Sequence, residues 1–180
     1  MNTATENYFD LFGIAQSYEV DRQELDKAYR QLQQVSHPDR FVNQPTQFQR
    51  QAMQQTAYIS EAYKVLKSPV LRASHLLHLA GISFELSTYT VTDMNLLMEQ
   101  LQYREQLSKI KEAADFEKLT EFSQILAKLT ADTSSQISGL FKQGAKVASE
   151  ELKNSICELQ FLDKLSHDLD EVEEQLMMEQ

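Results

Sequence analysis

The sequence predicts an all-α protein in two modules: an N-terminal helical hairpin with short accompanying helices, joined to a C-terminal three-helix bundle. Three observations lead there. Apolar residues recur at helical spacing through most of the 180 residues, with only three prolines and four glycines to interrupt them. The prolines, Pro38, Pro45 and Pro69, all lie in the first part of the chain. Charge changes at the same place. Residues 1–80 carry 8 basic and 8 acidic side chains, and residues 81–180 carry 9 and 19, so the second part holds the whole net charge of −10.

Each element has its own signal. Asn7 can cap a short helix "YFDLF" that stops at Gly13, and Phe9, Leu11 and Phe12 would close a core. "DRQE" offers a capping box, with Asp21 at the cap and Glu24 three residues on. Behind it Leu25, Ala28, Tyr29, Leu32 and Val35 share one face. Pro38 ends this helix, because it has no N–H and biases His37 away from the α region. Pro45 suits the first turn of a second long helix with a stripe of Phe48, Ala52, Ile59, Ala62, Tyr63 and Leu66. So short a connection favours an antiparallel hairpin. "SPVLRASHLLHLAG" adds a helix capped by Ser68 and stopped by Gly81, and "ISFELSTYT" reads as a linker.

Three longer helices follow, over about 92–113 behind a Thr92 cap, 115–142 behind Asp115, and 145–176 after Gly144. The second carries Phe116, Leu119, Phe122, Leu126 and Leu129 on one stripe. The third carries Leu152, Ile156, Leu159, Leu162, Leu169, Val172 and Leu176. Stripes of this kind bury one another in an antiparallel bundle. The expected division is a first domain at 1–80, a linker at 81–88 and a bundle at 89–180.

Composition narrows the partners. No cluster of cations supports a nucleic-acid surface. No run approaches the roughly 18 apolar residues of a membrane span. "MNTATENYFD" has no basic or apolar region of the kind a secretory signal needs. The single cysteine, Cys157, forms no internal disulfide, which fits a reducing compartment, and a cytoplasmic location is expected.

"VSHPDRFVN" (residues 35–43) carries the most specific chemistry. "LDKAYRQLQQVSHPDRF" resembles helix II and the His-Pro-Asp loop of a J-domain, and "ISEAYKVLKSPVLRASHLL" resembles the helix that follows it. The resemblance implies that Tyr29, His37, Pro38 and Asp39 dock onto a DnaK-type chaperone and stimulate its ATPase. Lys27, Arg30 and Arg40 place positive charge beside the loop, and a stiff polar patch loses little freedom on binding. Asp26 and Gln31 interrupt the run of cations that general J-domains carry, which favours a dedicated chaperone. Three alternatives stand beside docking. His37 and Asp39 could form a turn in which Asp39 caps the next segment. They could serve catalysis, with Ser36 as the adjacent nucleophile, although no oxyanion site is evident. They could ligate a metal, but further ligands are lacking, and His75 and His78, three apart on a helix, read better as surface or partly packed side chains.

The helix at 92–113 has two apolar faces where a bundle needs one. Leu96, Tyr103, Leu107, Ile110 and Ala114 gather on one side; Met94, Leu97, Met98 and Leu101 gather on the other. A contiguous exposed patch marks a partner site, and methionine suits an adaptable surface. Phe161 falls opposite the stripe of its own helix and is expected to be exposed too. "TVTDMNLLMEQLQYREQL" and "LQFLDKL" resemble the C-terminal domain of the HscB family, the J-proteins of bacterial iron–sulfur cluster assembly, and "NYFDLFGI" and "HPDRF" extend that resemblance to nearly the whole chain. It implies that the scaffold protein IscU docks on the bundle through Leu97, Met98, Leu101, Glu105 and Phe161, and that HscA is the chaperone partner. Two acidic positions of that patch are Gln102 and Lys109 here. Eukaryotic relatives add a cysteine-rich metal site whose cysteines this chain lacks. No catalytic residue, metal or cofactor is therefore expected, and the acidic "DLDEVEEQLMMEQ" reads as a solvated helix face.

Overall fold

The computed structural model describes residues 7–41, 44–89, 91 and 93–178. They form helices and connecting turns, with no strand among the described residues. The chain divides into two compact units, Met1–Ser83 and Phe84–Gln180.

In the first unit, α1 (Tyr8–Phe12) is capped by the Asn7 side chain, which accepts from the Phe9 N–H, and ends at Gly13 with φ 64°. A side chain at that φ would be strained, which is why glycine stands there. Asp21 caps α2 (Arg22–Ser36) by accepting from the Gln23 and Glu24 N–H groups. A 3-10 turn (Pro38–Phe41) leads towards α3 (Thr46–Lys67), and Ser68 caps α4 (Pro69–Leu79). Pro45 sits at the N-cap of α3, one residue before the helix, and supplies no capping side chain.

Contacts between α2 and α3 run in opposite directions along the two sequences. Tyr63 meets Asp26 and Tyr29, Ser60 meets Gln33, and Thr56 meets Ser36. The hairpin is antiparallel. Its core lies towards one end, where Leu25, Ile59, Ala62 and Leu66 are almost fully buried with Phe9, Phe12 and Leu77. Val35 and Phe48, expected on the buried stripes, are 66% and 50% exposed. Both stand near the loop end of the hairpin, past Leu25 and Ile59, where the small Ala52 is buried but these two larger side chains are not. Arg72 ties the unit together from inside, donating to the carbonyls of Tyr18 (2.7 Å) and Leu66 (2.6 Å) with its guanidinium over the Tyr18 ring.

In the second unit, α5 (Met94–Ala113), α6 (Phe116–Gln143) and α7 (Ser149–Met178) form the bundle. Asp93 caps α5 by accepting from Asn95 and Leu96; the expected cap, Thr92, lies outside the described residues. Asp115 caps α6 as its position predicts. The last helix starts at Ser149, four residues later than expected, because 145–147 form a turn after Gly144. The segment expected as a linker is packed: Phe84 is buried against the edge of Tyr89, whose hydroxyl meets Asn154 of α7 at 3.0 Å.

Candidate functional sites: a capped loop and an apolar helix face

The loop at 37–40 is built by what Pro38 prevents. His37 has an extended backbone, φ −58° and ψ 128°, so α2 stops at Ser36. Pro38 has no N–H to give the Gln34 carbonyl, which would be its partner in a continued helix. The Arg40 guanidinium donates to that carbonyl instead, at 3.2 Å. The Arg40 N–H donates to the His37 carbonyl at 3.1 Å, which closes the turn and leaves the Ser36 carbonyl without its helical donor. The Thr56 hydroxyl, reaching across from α3, fills that position at 3.0 Å.

His37 and Asp39 both face outwards, with side chains 51% and 84% exposed. The Asp39 N–H donates to His37 Nδ1 at 3.3 Å. Asp39 Oδ2 stands 3.5 Å from the same nitrogen. Asp39 therefore orders the turn locally and does not cap α3. Ser36 is buried, and its hydroxyl donates to the Leu32 carbonyl at 2.8 Å. That geometry gives His37 no nucleophile to activate.

The expected docking residues on α2 lead away from the loop. Lys27 and Arg30 are exposed, and Arg30 Nε donates to the Asp26 carbonyl. Tyr29 is half-buried and stacks on Tyr63 at 4.0 Å between ring centres. Asp26, which breaks the row of cations, accepts from the Tyr63 hydroxyl at 2.8 Å and so has a packing reason to be acidic. Gln33 Nε2 donates to both Tyr29 Oη and Ser60 Oγ at 3.0 Å. The sequence singles out Tyr29, His37, Asp39 and Arg40; the structure brings Thr56, Gln33 and Ser60 into the same hydrogen-bond network. The available signal was register: an antiparallel hairpin that sets Tyr29 beside Tyr63 brings Ser36 near residue 56.

The other sequence-predicted histidine pair is no ligand set. His75 is buried in unit 1, stacked on Tyr8 at 4.4 Å, and its Nε2 accepts from the Tyr8 N–H. Burial, with His78 nearby, pushes its pKa below the usual 6.5. Among the described residues no group of three or more His, Cys, Asp or Glu side chains is arranged to hold a metal. No helix among them is long and apolar enough to cross a membrane.

In the second unit, α5 buries Leu107 and Ile110 and half-buries Leu96 and Tyr103. Its other face is open: Met94 is 67% exposed, Leu97 39%, Met98 53% and Leu101 52%. Gln102 and Glu105 continue this face, and Glu105 lies 4.0 Å from Lys109. Beside them a groove of about 490 Å³ runs between α5 and α6 over Ile110 and Ile125.

Phe161 departs from its expected exposure. It is 7% exposed, packs in the core with Phe122, Leu162 and Leu165, and carries the Arg104 guanidinium 5.4 Å above its ring. The reason lies in the neighbours of α7, which packs against both α5 and α6. Such a helix buries two stripes, and Cys157, Phe161 and Leu165 at i, i+4 and i+8 form the second. Burial raises the Cys157 thiol to about 11, so it is inert at neutral pH.

Comparison with known proteins agrees in order and extent. Residues 7–75 match the DnaJ domain family, and residues 92–170 match the family described as the HSCB C-terminal oligomerisation domain. A co-chaperone protein HscB homolog of Shewanella loihica is 36% identical over 173 residues, covering 94% of this chain and 99% of that protein. Another from Pseudoalteromonas atlantica is 35% identical, covering 94% and 98%. Among solved structures, chaperone HscB from Vibrio cholerae superposes with a TM-score of 0.84 at 34% identity, covering 95% of this chain and 99% of that one. Human co-chaperone protein HscB gives 0.82 at 26% identity, covering 92% and 81%.

Proposed function

This chain belongs to the HscB family of J-domain co-chaperones, and from that premise we propose that it carries the scaffold IscU to the DnaK-type chaperone HscA in the cytoplasm and stimulates that chaperone's ATPase during iron–sulfur cluster assembly. The exposed His37 and Asp39 side chains, on a turn bonded by Arg40 and Thr56, are the observation that carries the reading. Lys27, Tyr29, Arg30, His37, Pro38, Asp39 and Arg40 form the chaperone contact. Cations on α2 bring an acidic surface to the loop, and His37 and Asp39 then engage it with little ordering left to do.

The second contact is the open face of α5. Leu97, Met98 and Leu101 give an apolar strip, with Gln102 and Glu105 as its polar continuation. Apolar area with adaptable methionine suits a protein client. Phe161 belongs to the core of the bundle and not to this open face. The first domain spans about 1–80 and the client-binding domain about 89–180, and Phe84 of the segment between them is buried against Tyr89. The chain makes and breaks no bond: it acts by binding one state of the chaperone better than another, which is all that a population shift requires.

The decisive measurement is steady-state ATP hydrolysis by HscA with IscU, with and without this protein. The expected result is stimulation that His37→Gln reduces about ten-fold, about 1.4 kcal/mol in the barrier to hydrolysis. A chaperone that is not stimulated overturns the proposal. Stimulation without measurable IscU binding would leave a J-domain adaptor for a different client.

A further inference from the structure

At the loop end of the hairpin the small Ala52 is buried, but the larger apolar side chains there are open and polar bonds hold the backbone. Val35, Phe48 and Met53 are 66%, 50% and 62% exposed, so no apolar side chain from these three positions clamps the loop. Left to its backbone alone the α2 C-terminus should fray, because the Gln34 and Ser36 carbonyls have no helical N–H donor and Pro38 removes one of those N–H groups. Thr56 lies 20 residues away in sequence, and its hydroxyl donates to the Ser36 carbonyl at 3.0 Å, with Ser36 Oγ at 3.5 Å. The Ser60 hydroxyl donates to the Thr56 carbonyl at 2.9 Å and accepts from Gln33, which also donates to Tyr29. A continuous polar ladder thus runs from Tyr29 to the residue before His37.

We infer that Thr56 is a positioning residue for the chaperone contact: its hydroxyl fixes the last carbonyl of α2 and so presents His37 and Asp39 already in their binding geometry. The inference rests on the reading of the loop as the chaperone contact. A neutral hydrogen bond of this kind shifts a local equilibrium about five-fold. Without it the loop must be ordered when the chaperone binds, so the effect falls on the concentration of this protein that half-saturates stimulation. Stimulation at saturation is retained.

The test uses the full chain with Thr56→Val, which keeps the shape and removes the donor, Thr56→Ala, in case the valine packs badly, and Thr56→Ser, which restores the hydroxyl. Amide hydrogen exchange of the free protein comes first. The Asp39 and Arg40 amides should exchange about five-fold faster in the valine variant, with Leu25 and Ile59 unchanged and serine like wild type. HscA stimulation is then titrated. The half-saturating concentration should rise about five-fold in the valine and alanine variants at equal maximal stimulation, and serine should restore it. Wild-type exchange at Asp39 and Arg40, or an unshifted titration, overturns the inference. So does a loss that serine does not restore, which assigns the effect to packing. If wild type itself fails to stimulate, the functional reading falls, and the exchange data alone still decide whether Thr56 anchors the loop.

Discussion

The two candidate surfaces are held in place by different physics. At 37–40 the backbone leaves regular structure, and its course depends on one proline and on single hydrogen bonds from Arg40 and Thr56. The open face of α5 needs no such arrangement: the helix satisfies its own backbone, Asp93 caps it, and Leu107 and Ile110 seat it on the core. Hydrogen bonds are directional, whereas burial of apolar surface scales with area. The loop should therefore respond sharply to the loss of one atom, and the α5 face should respond in proportion to the area removed.

Phe161 is where that sorting is most easily broken, and it carries the largest expected effect. Its position beneath Arg104 makes it a core residue of the second unit, so Phe161→Ala should cost about 3–5 kcal/mol of stability. Urea unfolding followed by circular dichroism measures this. An unchanged midpoint would make Phe161 a surface contact after all and would widen the α5 face into α7.

Leu97→Ala with Met98→Ala sharpens the comparison from the other side. Both side chains are open, so unfolding should move by less than about 0.5 kcal/mol. Binding of purified IscU should weaken by on the order of 1–3 kcal/mol for each anchor removed. Titration calorimetry on the double and the two single variants reads both the size and the near-additivity that an area-driven contact requires. A drop in melting temperature equal to that of Phe161→Ala would mean that this face is covered.

What could be read from the sequence follows from how local each cause is. The caps at Asn7, Asp21, Ser68 and Asp115 are decided by neighbours within three residues, and the structure has them where the sequence places them. The exposed face of α5 follows from periodicity alone, since one helix in a three-helix bundle cannot bury both its sides. Phe161 was misread because a stripe is defined by the neighbour that covers it, and α7 has two. Val35 and Phe48 continue apolar stripes past the point where the opposite helix supplies a partner. Thr56 is harder to read: it bonds a backbone carbonyl, which has no signature of its own, so the register of the hairpin is the one signal that brings it near Ser36.

The smallest expected effect separates the two units by pH. In the first, His75 accepts the Tyr8 N–H, and burial holds its pKa below the unfolded value of 6.5. The unfolded state then takes up protons more readily, so stability from this site is present above 6.5 and is lost as pH falls below that value through the lower folded pKa. In the second unit Glu158 is displaced upward from 4.5, first by burial and also by Glu99. Its native state binds the proton more readily, so that site becomes more favourable as pH falls towards 4.5. Lowering the pH from 7 to 5 should weaken protection around α1 and α4 while that of α5 and α7 holds or rises. Amide exchange resolved by segment reads both trends in one sample. His75→Gln keeps an acceptor that does not titrate, so it should flatten the first trend alone, and Glu158→Gln should flatten the second. Parallel loss in both units, unaffected by either substitution, would place the pH dependence in carboxylates elsewhere and detach it from the buried His75 and the half-buried Glu158.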